Sequence, residues 1–473
     1  MSVNRRDFLR RAASASAAAL AVSLPEARPE AQPDSADLPA PGTSGIEHLV
    51  VVMMENRSFD HLLGWMPNAN GRQSGLSYPD HNGVLQPTHR LNYYVGCSHP
   101  DPDHSYAGGR SEANDGKMNG WLRTSTNDSM CIGYYEEADL PLFGSLARNF
   151  TTCSNYFASI LSSTFPNRVF QHAAQTDRLS NTLHLCTLPT IWDRMADAGL
   201  SHRYYYSNVP FLALWGEKYI QISAFYEQFK LDVALGKLPA VSMIDPWLTI
   251  LDDGTGNDDH PHADLRKGEI FLREIVATLT ASPLWKNTVL VINRDEWGGF
   301  FDHVAPPRVI APNTVDTDIV DGKVLLGCRV PTLIVSPFTR GNPAKPRINS
   351  LRYDHASVLK LIEWRWHLDP LTARDASGEV RNLAWALNLA QPNFSVPSLP
   401  VIPEPTLDPC FLDTLETINQ TTGLPTVIPS EALSVSQAEN ATGADEEIYD
   451  FYLMLRSDLM KGWPLPPSLK GIL

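Results

Sequence analysis

The stretch IEHLVVVMMENRS, residues 46–58, decides the fold class. From Ile46 to Met54 it is nearly all apolar and rich in β-branched side chains, and the polar turn Glu55, Asn56, Arg57, Ser58 follows at once. A strand covered on both faces reads this way, because a half-exposed strand would alternate. The expectation is a central parallel strand. Leu238–Ile244, Thr288–Ile292 and Val330–Ser336 repeat the signature, the first two breaking into acidic or polar segments. Lys267–Thr280 and His355–Trp366 place apolar residues three and four apart, as an amphipathic helix requires. Strands alternating with helices specify an α/β protein, whose ligands sit beyond the carboxyl ends of the strands, where these polar breaks fall.

Outward from that core, the 473 residues are 43% apolar and 19% charged, a composition that buries a sizeable core and excludes a disordered chain. The formal charge of −15 excludes general affinity for nucleic acid. No glycine-rich dinucleotide or P-loop fingerprint occurs, so a nucleotide cofactor gets no support from the sequence. Residues 1–40 open with Arg5 and Arg6, then a small apolar stretch from Ala12 to Leu24, too short to span a bilayer. They are expected to be a twin-arginine export signal and flexible segment, so the chain is assigned to the periplasm or beyond, with the export machinery as a partner. Residues 41–390 are expected to form the main folded domain. Residues 391–473 form a Pro-, Ser- and Thr-rich extension ending in a docked helix over Ala444–Lys461. The even set Cys97, Cys131, Cys153, Cys186, Cys328 and Cys410 contains no CxxC, and both disulfides and buried thiols fit it.

Two acidic segments follow strands directly: Glu55 with Asn56, and Asp295 with Glu296 in VINRDEWGGFFDHV. Carboxylates converging in a cleft repel one another unless a divalent cation joins them. SSTFPNR, residues 162–168, offers a hydroxyl as a nucleophile, provided a metal or base lowers the cost of the alkoxide; a helix cap at Ser163 or Thr164 is the plainer alternative. His104 in PDPDHS, His260 with His262 in NDDHPHAD, and His355 behind Asp354 can move protons near neutral pH. Asp302 and His303 read as support for the site, with His303 oriented by a carboxylate. Trp121, Trp247, Trp297, Phe300 and Phe301 supply either an apolar landing surface for lipid or core.

Together with KMNGW, LPAVSMIDP, VPTLIVSPF and RYDHASVLKLIEW, these strings run in order from Ile46 to about Trp366. The chain thereby resembles the phosphoesterase family of bacterial and plant non-specific phospholipases C and a secreted acid phosphatase, within the alkaline phosphatase superfamily. The resemblance implies a three-layer α/β/α sandwich with a mostly parallel central sheet. It implies a divalent metal, Ca, Mg, Mn or Zn, held by Glu55, Asn56, Thr164, Asp295 and Glu296. Thr164 would be the phosphorylated nucleophile, with His104, His260 and His355 around the phosphoryl group. A histidine would protonate the departing alcohol, and water would later release the phosphate from the threonine. The substrate would be a phospholipid or a soluble phosphate ester, with transient contact at a membrane surface. The chain departs from the family's DEHGG at Trp297.

Three other readings compete. An acid phosphatase acting on monoesters uses the same residues. A sulfatase is disfavoured, because Thr164 cannot become formylglycine. A noncatalytic exported binding protein would not need the full oxygen set.

Overall fold

The main sheet is built from β1 (His48–Met54), β2 (Thr151–Cys153), β3 (His202–Tyr206), β4 (Ser223–Phe225), β5 (Val241–Ile244), β6 (Thr288–Arg294), β7 (Thr332–Val335) and β8 (Arg347–Asn349). Their order is β8-β2-β7-β6-β1-β5-β3-β4. These elements come from a computed structural model, which describes residues 38–124, 127–250, 255–405 and 450–471. The export-signal assignment, most of the Ser/Thr-rich stretch and the first six residues of the expected terminal helix lie outside the described residues. Met1–Leu38 and Pro39–Leu473 form separate units, and everything below concerns the second.

Only β7 runs against its neighbours, pairing antiparallel with β6 and with β2. The strand expected over Val330–Ser336 therefore exists but points the other way. β1 lies at the centre, parallel to β6 and to β5. Its residues from Leu49 onward are all buried, which is why its sequence does not alternate.

Helices cover both faces. Those used below are α1 (Phe59–Leu63), α2 (Tyr106–Ala113), α3 (Pro141–Asn149), α4 (Thr164–Ala173), α5 (Leu265–Thr280), α6 (His355–Trp366) and α7 (Asp450–Arg456). Val50 and Val52 of β1 share one apolar cluster with Phe271, Leu272, Ile275 and Val276 of α5 and with Leu142 and Leu146 of α3. Val51 and Met53 point to the opposite face, against Arg168, Gln171 and His172 of α4. Burying each such valine contributes about 1.5–3 kcal/mol, which favours this strand at the centre of the sheet over its edge. The result is the α/β/α sandwich.

The carboxyl terminus returns to this body. Phe451 of α7 packs on Phe165 at 5.4 Å between ring centroids. Trp463 Nε1 donates to the Gly216 carbonyl at 2.9 Å and Tyr206 donates to the Pro464 carbonyl at 2.7 Å. The helix stops at Arg456, and a short 3-10 turn, Asp458–Met460, follows. No helix among the described residues is long and apolar enough to cross a membrane.

Candidate active site

Register brings the two acidic segments together. Met54 is paired with Arg294, so Glu55 and Asp295 leave adjacent parallel strands side by side. The Asp295 amide donates to the Met54 carbonyl at 3.2 Å. Asn56 then adopts φ 53°, a left-handed conformation that Asn tolerates, and turns its amide onto Asp295 Oδ1 at 3.1 Å. Gly298, at φ 61°, packs under this turn: a Cβ there would lie 2.2 Å from the Asn56 carbonyl oxygen. Gly298 is therefore a steric requirement of Asn56, whereas a Cβ on Gly299 would meet Pro102 at 2.6 Å.

Thr164 is the first residue of α4, and Pro166 is accommodated in the first turn, where no amide partner is lost. Ser163 occupies the cap position without bonding the helix; its hydroxyl donates to Asn181 Oδ1 at 3.1 Å, and the Phe165 amide donates to the same oxygen at 2.7 Å. Asn181 thus takes over the capping role that the sequence left open to Ser163 or Thr164. The Thr164 hydroxyl, buried at the positive end of the helix, instead donates to Asn56 Oδ1 at 3.3 Å.

One turn further along α4, Arg168 is buried among three carboxylates, with Nε 2.9 Å from Asp295, Nη1 3.1 Å from Asp245 and Nη2 3.2 Å from Glu55. Burial opposes its charge, but the three acids outweigh that and hold its pKa above the ordinary value. Burial pushes the Glu55 carboxyl well up; Arg168 opposes, and Asp258, Asp295 and Glu296 add to the rise. Asp295 is raised by burial against the same arginine. One guanidinium serves more negative charge than it neutralises.

The histidines divide. His104 donates from Nδ1 to the Pro102 carbonyl at 2.7 Å, leaving Nε2 facing Asn56 Nδ2 at 3.2 Å and Glu296 Oε1 at 3.8 Å. His260 Nε2 lies 3.5 Å from Asp101 Oδ2. Burial raises the Asp101 carboxyl, but His260, His104 and His262 outweigh it and lower the pKa. His355 is different: Nε2 donates to the Asp295 carbonyl at 2.7 Å, and Nδ1 lies 3.3 Å from the Tyr156 hydroxyl. Burial pushes it down to about 4, so it is a neutral support for the backbone of the acidic pair.

Residues 46–369 match the family model described as Phosphoesterase family. The chain belongs to that family. The phosphoesterase is 34% identical over 372 residues to non-specific phospholipase C1 of Arabidopsis thaliana, covering 70% of this chain and 69% of that one. It is 30% identical over 484 residues to phospholipase C B of Mycobacterium tuberculosis, covering 85% and 90%. It is a hydrolase acting on phosphoester bonds. A Vibrio parahaemolyticus structure described as a protein in the alkaline phosphatase superfamily aligns with a TM-score of 0.35 at 11% identity over 72% of this chain and 70% of that one, a likeness too distant to carry an argument.

Several features of this phosphoesterase depart from the sequence reading. Asp245, Asp258 and Asp101 belong to the charge network but were not singled out. Asp245 had a signal, since it follows β5 directly, as Glu55 follows β1. Trp121, Trp297, Phe300 and Phe301 are fully buried, so the core alternative holds for them; Trp247 is half-buried. Arg57 donates to the carbonyls of Asp259 at 2.6 Å and His260 at 3.1 Å, which supports the histidine loop. Cys97 is disulfide-bonded, whereas Cys131, Cys153, Cys186 and Cys328 are free and buried.

A second acidic group lies nearby. Among the described residues, the trio whose candidate ligand atoms all fall within 4.8 Å of one another is Asp60, Asp302 and His303. Glu55, Asp295 and Glu296 do not close to that spacing. The trio, however, already holds a cation: Arg329 Nε donates to Asp302 at 3.0 Å, and its Nη2 to Asp60 and Asp302 at 3.1 Å each. His303 is oriented by a carboxylate, as expected, and the carboxylate is Asp60 at 2.5 Å.

Proposed function

We propose that the chain is an exported, metal-dependent phosphoesterase of phospholipase C type, acting through a phosphothreonine at Thr164. The observation carrying the proposal is the Thr164 hydroxyl held on Asn56, whose own amide is bonded to Asp295 of the buried acidic pair. The donor chemistry fits a divalent ion. Glu55 Oε1 is buried and accepts no hydrogen bond, with only the Arg168 charge beside it, and its neighbours Asp295 and Glu296 disfavour its ionisation. Glu55, Asn56, Thr164, Asp295 and Glu296 would hold that ion. When bound, it lowers the cost of the threonine alkoxide and offsets charge on the phosphoryl oxygens.

The chain's own residues supply the rest. Thr164 Oγ1 forms the new bond to phosphorus in line with the leaving diacylglycerol oxygen, whose bond breaks. The threonine proton passes to His104 Nε2, which faces the same Asn56 amide that holds the hydroxyl, and His104 then delivers it to the departing oxygen, with the other ring nitrogen fixed by Pro102. His260, paired with Asp101, is the second proton-carrying group. His355, with both ring nitrogens engaged, keeps the Asp295 carbonyl in place. Water then attacks the phosphothreonine, releasing the phosphorylated head group and restoring the hydroxyl.

The phospholipase C type is supported by the relatives bearing that name and by a match covering most of both chains. Release of phosphorylated head group from a panel of phospholipids, run beside a soluble monoester, tests it. Lipid turnover supports the proposal. Turnover of the monoester alone makes the protein a phosphatase with the same nucleophile, and turnover of neither makes it a binding protein.

A further inference from the structure

Trp297 directly follows the acidic pair, yet its side chain is fully buried and reaches no open cleft. Its indole Nε1 donates to Glu112 Oε2 at 2.8 Å. Glu112, on α2, is also fully buried, and its Oε1 accepts from Asn127 Nδ2 at 2.8 Å. Asn127 Oδ1 in turn accepts the Asp103 amide at 2.6 Å. The next residue is His104, whose Nε2 stands 3.8 Å from Glu296 Oε1. A chain of contacts that leaves Glu296 through its neighbour Trp297 therefore returns to Glu296 through His104.

Packing reinforces the ring. A Cβ on Gly109 of α2 would fall 2.7 Å from the Trp297 ring and 2.9 Å from Leu161, so this helix approaches the indole as closely as glycine permits. Both oxygens of a buried carboxylate are used by two donors, and losing either donor would leave an oxygen buried and unsatisfied.

We propose that Trp297 and Glu112 are positioning residues, which fix where His104 stands relative to Glu296 and touch no substrate themselves. Position 297 then influences turnover through the proton donor and not through substrate fit. The inference rests on the reading of His104 as the proton-transfer residue.

The test is steady-state turnover of a chromogenic phosphodiester by Glu112→Gln, Trp297→Phe and His104→Ala, and by Glu112→Gln combined with His104→Ala, with thermal melting of each. Glu112→Gln keeps the volume and spoils one of the two accepted bonds; it carries the test even where Trp297→Phe fails to fold. Each positioning variant is expected to lower kcat about 10-fold with KM unchanged. On the His104→Ala background, Glu112→Gln is expected to change kcat less than about 2-fold, because coupled residues are not additive. A further loss of about 10-fold on that background overturns the proposal, since Glu112 would then act independently of His104. A rise in KM with kcat preserved overturns it as well, by placing the effect on substrate binding. Full kcat in His104→Ala alone overturns both this inference and the assigned role of His104.

Discussion

Two buried acidic clusters flank the ends of β1 and β6, each with an arginine at its heart, and they are finished differently. Around Arg329, Asp60 and Asp302 have all their carboxylate oxygens occupied: Arg329 and His303 supply side-chain donors, and the amides of Asp60, Arg72, His303 and Val304 supply the rest. Around Arg168, three carboxylates share one guanidinium, Asp258 and Glu296 add further negative charge, and Glu55 Oε1 accepts no hydrogen bond. The first cluster is a closed structural lock joining α1 to the loop after β6. The second is left short of positive charge, and in a buried site that deficit calls for a ligand. Close spacing of acids is thus a poorer guide to function than the balance of charge around them.

The largest effect that sharpens this contrast is at the hydroxyl beside the unfinished cluster. Thr164→Val should lower phosphodiester turnover by about 1,000-fold or more with melting temperature preserved, measured by steady-state kinetics and calorimetry. A variant with even a tenth of the parental rate would move the nucleophile elsewhere.

Metal titration separates the clusters directly. Asp295→Asn should abolish binding of Mn or Ca, read by calorimetry after chelation. Asp302→Asn should retain it while costing stability. The reverse pattern would make the Asp60 trio the metal site.

Arg329→Met should cost about 3–5 kcal/mol by chemical denaturation, because it removes the guanidinium that neutralises two buried acids. In the other cluster, Arg168→Met should be rescued in part by added divalent ion, which the Arg329 variant should not be.

The effects of pH are graded. His172 and His355 are pushed down by burial to about 3 and about 4, so both are neutral when folded. Their contribution is complete above the unfolded value near 6.5 and is lost as pH falls from there through about 4 for His355 and about 3 for His172. Glu55 has the opposite sign, since its raised pKa favours the metal-free fold at low pH and that advantage is lost as pH rises above the unfolded value of 4.5. The melting-temperature gain on adding divalent ion should therefore grow from pH 5 to pH 8, and a flat gain would argue against Glu55 as a ligand.

The strands that decide the fold were legible because each is buried on both faces and is followed by acid or polar residues. β2, β4 and β8 were not, because three residues are too few to show any periodicity. Local chemistry pointed to Glu55, Asn56, Asp295 and His104 and to a hydroxyl within residues 162–164, the family resemblance pointed to Thr164 among those hydroxyls, and the structure brings these residues into one neighbourhood. Which atoms meet was not readable. The Arg168 ties join residues 55, 245 and 295, and the ring through Glu112 joins 112, 127 and 297, so both are products of tertiary register alone.

The most direct test of the account is acid quenching during phospholipid turnover, followed by peptide mass mapping. The account predicts a phosphoryl adduct bearing the head group on Thr164 of the 162–168 segment, absent in Thr164→Val. Sustained turnover with no adduct there under single-turnover conditions, or with the adduct on another side chain, would contradict it.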